Sequence, residues 1–332
     1  MVLRIVFAGQ DMVDLEKAES VPLREGCVRV RTEMSLMSAG TEGIALHKRF
    51  DEGTHWAAYV RYPFLPGHAA VGVVEEVATG VVSPSVGDRV VSRSNHASEH
   101  VVEASRCTVV PRDVPLDAAV WFALAKIALV GARVAEYRLG DKVAVVGAGP
   151  IGQMSVRWAA AAGLGWVVAM DPVASRLEHA LRGGASATVA LPVAEARDAV
   201  LAAGGGTLPR VVVDSTGNAG VFASALGLVA DFGRLVLLGD TGSPRSQCLT
   251  SDVVARGVTV VGAHDSYNHR IPGWERDEDM YGLFFELVRS RRFNVEGLIT
   301  HRFSPTEAKA AYELATALPG DSMGVAFDWT GS

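Results

Sequence analysis

The segment Val143–Gly152 constrains the fold of this chain more than any other stretch of its sequence. A β-branched apolar run ends at Gly147, two more glycines follow at Gly149 and Gly152, and a helix-forming stretch begins at Gln153. This order predicts a strand, a tight turn and a helix. Gly149 leaves no side chain between the backbone and a bound pyrophosphate, and Gly152 lets the helix lie close to the sheet. The first amide groups of that helix then point at phosphate oxygens.

An acidic residue stands where such a site needs one. A second apolar run, Trp166–Met170, ends at Asp171, about 20 residues beyond the glycine motif, where a carboxylate that binds the adenosine ribose is expected. The negative charge of Asp171 disfavours a 2′-phosphate, so we expect the protein to prefer NAD(H). Binding of NADP(H) remains possible, because Arg176 can pair with that phosphate. The alternatives are an ordinary strand–helix turn and a surface role for Arg176. The predicted cofactor-binding residues are Gly147, Gly149, Pro150, Ile151, Gly152, Asp171, Arg176, Thr216, Gly239, Asp240 and His264.

The pattern of apolar runs divides the chain into two kinds of structure. Up to about Val110, short apolar runs such as Val28–Thr32 and Val71–Val77 alternate with turn residues, which predicts a β-rich barrel. A buried linking helix is expected over Ala118–Tyr137. Beyond it, Val- and Leu-rich runs alternate with alanine-rich helical stretches, which predicts an α/β fold with a doubly wound parallel sheet. Besides the run before Gly147, the predicted strands of this sheet are Trp166–Met170, Val211–Asp214, Arg234–Gly239 and Val258–Gly262.

The last part of the chain mixes a polar loop with two helical stretches. The loop Asp265–Tyr281 is acidic and aromatic, and its acidic part, Glu275–Asp279, suits either a cationic substrate or a solvated surface. A helix is expected over about Asp279–Arg292. The segment Ser304–Glu307 has the serine, proline and glutamate of a capping box at the start of another helix. A final strand is expected at Gly324–Asp328.

Composition excludes several classes of protein. A length of 332 residues allows two domains, and a net charge of −6 argues against nucleic acid as the main partner. No apolar run approaches the length of a membrane span, and the N-terminus lacks a basic region followed by an apolar stretch, so we expect a cytoplasmic protein. The cysteines Cys27, Cys107 and Cys248 are isolated, which supports neither a disulfide framework nor a four-cysteine zinc site.

Five short motifs together carry a family resemblance. They are Gly40–Glu42, Pro66–His68, Gly87–Val90, Val145–Gly152 and Leu298–Phe303. In this order and spacing the chain resembles the medium-chain dehydrogenase/reductase superfamily over almost its whole length. The resemblance implies a GroES-like catalytic barrel (residues 1–117), a Rossmann domain (118–265) and a C-terminal return to the barrel (266–332). It also implies a cleft between the domains for nicotinamide and a small-molecule substrate, and a homodimer or homotetramer.

The chain departs from the zinc-dependent members of that superfamily. Ala39 stands where those members have a cysteine, Ala69 where many have a glutamate, and Phe122 where a further ligand is expected. Alanine and phenylalanine cannot ligate a metal, and the remaining His68 cannot make a three-ligand site alone. The four-cysteine lobe of structural zinc is also missing. We therefore expect a zinc-independent protein with no metal site, in which His68 is a catalytic residue, a core histidine or an ancestral remnant.

A lysine is the predicted replacement for the metal. The resemblance implies hydride transfer, and without zinc the developing alkoxide needs another proton donor. Lys126 lies one helical turn beyond Phe122 in an otherwise apolar stretch. Burial makes an ammonium readier to release its proton, so we expect Lys126 to polarise the substrate oxygen and protonate it, with Thr41 and His68 as relays. The alternative is a lysine whose stem packs on the helix and whose amine pairs with an acid such as Glu99.

The substrate class rests on two polar stretches. Trp56–Tyr62 and His264–His269 favour a polar ketone or secondary alcohol, such as a sugar, a polyol or an aminocyclitol. A zinc-free reductase of enones, quinones or iminium compounds would share every cofactor residue, and a substrate screen separates the two. A non-catalytic nucleotide-binding protein is the third possibility, and NADH binding without turnover would support it.

Overall fold

A computed structural model of the chain describes residues 1–266, 276–317, 320 and 322–331. The chain divides into two compact units. The first comprises Met1–Ala123, Glu278–Arg289 and Val295–Ser332, and the second comprises Leu124–Asp277 and Ser290–Asn294. None of the helices in the described residues has the length and apolar character needed to cross a membrane.

The strands are numbered in chain order. They are β1 (Val2–Gly9), β2 (Met12–Ala18), β3 (Cys27–Leu36), β4 (Ala70–Val77), β5 (Arg89–Ser92), β6 (Glu99–Glu103), β7 (Thr108–Val109), β8 (Lys142–Val146), β9 (Trp166–Met170), β10 (Ala187–Val189), β11 (Val211–Asp214), β12 (Arg234–Leu237), β13 (Thr259–Gly262), β14 (Ile299–Phe303) and β15 (Gly324–Asp328).

The α-helices follow the same order. They are α1 (Ala39–His47), α2 (His55–Tyr59), α3 (Leu116–Ala119), α4 (Phe122–Val134), α5 (Pro150–Ala161), α6 (Ala174–Arg182), α7 (Arg197–Ala203), α8 (Phe222–Leu228), α9 (Asp252–Ala255), α10 (Asp277–Arg289) and α11 (Ala308–Ala317).

The first unit is built around β3, the longest of its strands. Over the part of the chain that the structure describes, seven strands form one sheet with the order β14-β15-β3-β4-β5-β7, and β6 pairs with β3 beside β15. β15 pairs antiparallel with β3, with Ala326 opposite Leu36, so the C-terminal strand joins the N-terminal sheet. Phe7, Tyr312 and Phe327 belong to the apolar core beside it. This seven-stranded sheet agrees with the β-rich structure that the alternating apolar runs predict for this part of the chain.

The second unit is the predicted doubly wound domain. Within the described residues its sheet has six parallel strands in the order β10-β9-β8-β11-β12-β13. The order of strand addition reverses between β8 and β11: β9 and β10 extend the sheet on one side of β8, and β11 to β13 extend it on the other. The carboxyl ends of β8 and β11 therefore flank a crevice in which such sheets bind ligands. All four residues of β11 are buried, as expected for a parallel strand that is covered on both faces.

Two helices differ from their predicted limits. The stretch expected to form one helix from Ala118 to Tyr137 contains α3 and α4. They are separated where the Trp121 amide donates to the Ala118 carbonyl, three residues back instead of four. The helix expected over 279–292 is α10, which begins at Asp277 and ends at Arg289, before Arg291 adopts a left-handed backbone with φ of 58°. The capping box is confirmed: Ser304 and Glu307 bond each other's backbone amides at a 3₁₀ turn that leads into α11.

Candidate functional site

The turn between β8 and α5 forms an open cradle at the carboxyl end of the sheet. Gly147 adopts a φ of 83°, and a Cβ on Gly152 would lie 1.9 Å from the Gly147 carbonyl oxygen, so both positions require glycine. Gly149 is the N-cap of α5, and among the described residues no side chain caps its first turn. Those first amides are therefore available to an anion, as a dinucleotide pyrophosphate requires.

Asp171 lies directly beside this cradle and is 4% exposed. Its Oδ2 accepts the Ala148 amide at 2.9 Å, its Oδ1 accepts the Val173 amide at 2.9 Å, and Nη1 of Arg176 lies 3.4 Å from Oδ2. A carboxylate has about four acceptor positions, so Asp171 retains capacity for ribose hydroxyls. The open glycine loop, the uncapped helix start and the acid together fit a nicotinamide dinucleotide.

The other predicted cofactor residues follow neighbouring strands. Asp214, at the end of β11, is buried, and its Oδ1 accepts the amide of Thr216 at 2.9 Å and its hydroxyl at 2.7 Å. Burial raises the pKa of Asp214, although both bonds from Thr216 oppose the rise. Gly239 and Asp240 come just after β12, and His264 comes after β13. Because parallel strands share one carboxyl edge, these residues lie at the same edge as the cradle.

Lys126 is buried in the second unit and is held by two aspartates. It is 5% exposed, and its Nζ lies 2.9 Å from Oδ1 of Asp277 and 3.6 Å from Oδ2 of Asp265. The same Nζ donates to the backbone carbonyl of Asp265 at 3.0 Å. Glu99, named as a possible acidic partner from the sequence, pairs with Arg29 instead. Glu99 belongs to β6 in the first unit, whereas the observed partners follow β13 and begin α10.

The remaining predicted residues belong to the first unit. Thr41 lies in the first turn of α1, and His68 lies two residues before β4; both are partly buried, and their part in proton relay stays a prediction. Ala69 is fully buried, and Phe122 packs edge-on against Tyr281 with ring centroids 4.9 Å apart. Over the described ranges, no group of three or more His, Cys, Asp or Glu side chains is arranged to hold a metal ion.

Part of the predicted substrate stretch belongs to the core. Trp56 is buried in the apolar cluster of the first unit, and the Tyr62 hydroxyl donates to the Ala45 carbonyl at 2.7 Å. Both side chains therefore contribute to the packing around α1, and their assignment as pocket residues stays a prediction. Most of the polar loop, residues 267–275, lies outside the described residues.

A buried polar network in the first unit was not predicted from the sequence. Oε2 of Glu42 accepts the Tyr312 hydroxyl at 2.5 Å and lies 3.1 Å from Nε2 of His96, and Oε1 accepts the Ser38 amide at 2.7 Å. The Ser35 hydroxyl contacts Nδ1 of His96 at 2.7 Å. Burial alone would raise the pKa of Glu42, but the charge of His96 and the three hydrogen bonds hold it below the ordinary value.

Comparisons with known proteins match both units. A family described as alcohol dehydrogenase GroES-like domain matches residues 30–109, and one described as zinc-binding dehydrogenase matches residues 150–275. The L-threonine 3-dehydrogenase of Bacillus subtilis is 28% identical over 78% of this chain and 81% of its own length. The human (Homo sapiens) sorbitol dehydrogenase is 26% identical over 76% of this chain and 77% of its own length. A solved oxidoreductase of unknown specificity from Escherichia coli superposes with a TM-score of 0.84 at 17% identity, covering 98% of this chain and 99% of its own.

Proposed function

Because this chain belongs to the medium-chain dehydrogenase/reductase superfamily and is a nicotinamide-dependent oxidoreductase, we propose that it transfers a hydride between NAD(H) and a polar ketone or secondary alcohol without a catalytic zinc. The observation that carries the proposal is Asp171 beside the uncapped start of α5. The names of two relatives support the substrate class, because L-threonine and sorbitol are polar molecules with secondary hydroxyl groups.

The preference for NAD(H) follows from the charge of Asp171. This carboxylate suits two ribose hydroxyls and repels a 2′-phosphate. Arg176 pairs with Asp171 and offsets part of its charge, so NADPH binds more weakly than NADH but is not excluded.

The position of Lys126 suits a proton donor. With the adenosine end beside β9, the rest of the dinucleotide extends along the carboxyl edge towards β11, β12 and β13. Lys126 bonds the carbonyl of Asp265, three residues beyond β13, so its ammonium lies at that edge. The nicotinamide, when bound, supplies or accepts the hydride. Lys126 orients the substrate oxygen and gives it a proton in the reducing direction, while Asp277 holds the ammonium in place.

The proposal excludes zinc on the chemistry of the side chains. At the positions where zinc-dependent members carry ligands, this chain has Ala39, Ala69 and Phe122, whose side chains contain no atom that can bind a metal. We expect elemental analysis of the purified protein to find no stoichiometric zinc, and we expect turnover to survive prolonged chelation. One zinc per chain, with loss of turnover on its removal, would contradict this.

Binding and turnover assays test the cofactor and the substrate class. Titration with NADH and NADPH, followed by nicotinamide fluorescence, should give at least a tenfold lower dissociation constant for NADH. A screen over polyols, aminocyclitols, their ketones, enones and quinones should show turnover with the carbonyl and carbinol compounds. Turnover confined to enones or quinones would favour a double-bond reductase, and tight NADH binding with no turnover at all would favour a non-catalytic protein.

A further inference from the structure

Two buried polar side chains lie beneath the glycine loop and have no part in the function proposed above. Gln153 and Arg157 are one turn apart on α5 and are 0% and 1% exposed. Neither residue faces solvent; Gln153 donates to two backbone carbonyls and Arg157 donates to three. Burying so many polar atoms is unfavourable unless they are bonded, so their bonds define what they hold in place.

Gln153 closes a ring of hydrogen bonds around the adenosine end of the site. Its Nε2 donates to the Ala148 carbonyl and to the Arg176 carbonyl, each at 2.8 Å. The amide of Ala148 donates to Asp171, and the guanidinium of Arg176 contacts the same carboxylate. One side chain thus fixes both the glycine loop and the residue that flanks the ribose acid. Nη1 of Arg176 would lie 3.8 Å from a Cβ on Gly149, so this ring borders the space for a phosphate.

Arg157 determines which way the Gln153 amide faces. Its Nη1 donates to Oε1 of Gln153 at 2.8 Å and to the Gln153 carbonyl at 3.0 Å. Its Nη2 donates to the His179 carbonyl at 3.3 Å, and its Nε donates to the Asn294 carbonyl. Among the described residues, these acceptors are all neutral oxygens. A guanidinium only donates, so Oε1 must face Arg157, which directs Nε2 towards Ala148 and Arg176.

The environment of Arg157 is unusual for a cation. Burial, with the charge of Arg182 adding to it, lowers the pKa of Arg157 to about 10, which still leaves it protonated at neutral pH. The contact is also tight: a Cβ on Gly183, just after α6, would lie 2.5 Å from Nη1 of Arg157. The guanidinium is therefore held between α5 and the end of α6 as a permanent donor.

We infer that Gln153 and Arg157 are positioning residues for the adenosine end of the cofactor, acting through Ala148 and Arg176. The inference rests on the proposed function, since it assumes that the cradle binds a nucleotide. Gln153 bonds the Ala148 carbonyl, which keeps the Ala148 amide directed at Asp171. It also bonds the Arg176 carbonyl near the start of α6, which keeps the Arg176 guanidinium beside the same carboxylate. Arg157 acts through Gln153 by keeping its amide in that orientation.

Substitutions at Gln153 separate these bonds. Gln153→Met keeps the length of the side chain and removes both donors, and we expect the dissociation constants of NADH and AMP to rise about tenfold. Because the reacting end is untouched, kcat at saturating NADH should stay within about twofold while KM for NADH rises. Gln153→Glu keeps an acceptor for Arg157 but cannot donate to the two carbonyls, so it should weaken AMP binding at least as much. It provides the same test if Gln153→Met does not fold.

Arg157 and a neighbouring serine complete the set of variants. Arg157→Met should weaken AMP binding by about threefold or more, and Arg157→Lys, which restores a donor, should recover most of that loss. Ser155→Ala is the matched control, because Ser155 is buried on the same helix and bonds only the Ile151 carbonyl one turn back among the described residues. Its affinity for AMP should equal that of the wild type.

The outcomes distinguish this inference from the proposed function. If the wild type binds neither NADH nor AMP, the proposed function fails. If the wild type binds both, but the folded Gln153→Met and Gln153→Glu variants bind AMP within twofold of it, the positioning role is wrong. A loss of kcat with unchanged KM for NADH would also overturn it, because the effect would then lie away from the adenosine end.

Discussion

The charge of Lys126 is held by two acids that differ in their access to solvent. Asp265 is largely buried, whereas Asp277 is 44% exposed. The buried ammonium of Lys126 therefore has two carboxylate partners, of which only Asp277 is substantially exposed to solvent. This arrangement is compatible with a proton donor and with a purely structural ion pair, and mutagenesis separates the two.

Substituting Lys126 tests its role directly. Lys126→Met keeps the length of the side chain and removes the ammonium, so we expect turnover to fall about a hundredfold or more while NADH still binds. Steady-state kinetics over a range of pH and an NADH titration measure the two effects. Lys309→Met changes an exposed lysine of α11 and should leave both unaltered. Near-normal turnover of Lys126→Met with an unchanged pH profile would leave only the structural ion pair.

The bond between Tyr312 and Glu42 should contribute measurably to the stability of the fold. Tyr312→Phe keeps the ring against Phe7 and removes one hydrogen bond to a buried carboxylate, which should lower the free energy of unfolding by about 1.5–3 kcal/mol. Urea unfolding at neutral pH measures the difference. Tyr59→Phe, at an exposed position, should change it by far less.

The same variant should change the acid limit of stability. The pKa of Glu42 is lower in the folded protein than its ordinary value of 4.5. Its contribution is therefore complete above that value and is lost as the pH falls through the lower folded pKa. Without the Tyr312 hydroxyl the folded pKa of Glu42 rises towards that value, so Tyr312→Phe should lose less stability than the wild type as the pH falls. The difference in the free energy of unfolding between the two proteins, measured in urea at several pH values, should therefore shrink at acidic pH. A difference that stays constant with pH would show that this bond does not stabilise the carboxylate.

At the level of elements, the capping box of α11 offers a local test. Ser304→Ala removes the side-chain acceptor at the start of the turn and should cost about 1 kcal/mol. Ser251 occupies the equivalent N-cap position of α9, but its side chain makes no capping bond, so Ser251→Ala should cost much less. Equal losses in urea unfolding would contradict the capping role of Ser304.

What the sequence could predict depended on how local each feature is. The Ser304–Glu307 box lies within four residues, and the buried strands of the second unit are continuous apolar runs, so both were predictable. β10 escaped prediction because Ala187–Val189 is only three residues long and half-buried. The partners of Glu42 are 54 and 270 residues away, at His96 and Tyr312, and no periodicity connects such positions.

The candidate site shows the same limit. The glycine loop and Asp171 were predictable because their spacing follows from one strand–helix–strand unit. An acidic partner for Lys126 was predictable, and Glu99 was the example offered above. The observed partners, Asp265 and Asp277, could not be identified because they lie 139 and 151 residues further along the chain. The sequence predicts only a helical position for Gln153, because the Ala148 and Arg176 carbonyls that it bonds become neighbours through the fold.

For the whole molecule, cofactor binding should stabilise the folded state. A ligand that binds only the folded chain adds about 2.7 kcal/mol at a hundredfold excess over its dissociation constant. We therefore expect NADH to raise the urea midpoint, and NADPH at the same concentration to raise it less. ADP serves as a control that carries the adenosine end without nicotinamide. Equal shifts with NADH and NADPH would contradict the preference for NAD(H).

The two backbone amides that bond Asp171 restrict how the proposed preference for NAD(H) can change to NADP(H), by engineering or by evolution. Replacing an acid at this position with a small neutral residue is the simplest way to admit a 2′-phosphate. Here that replacement would also strip the amides of Ala148 and Val173 of their acceptor. Substituting Asp171 alone would thus destabilise the glycine loop while it weakens the selectivity of the site for NAD(H). A viable change of dinucleotide needs a second, compensating substitution that supplies a new acceptor for Ala148.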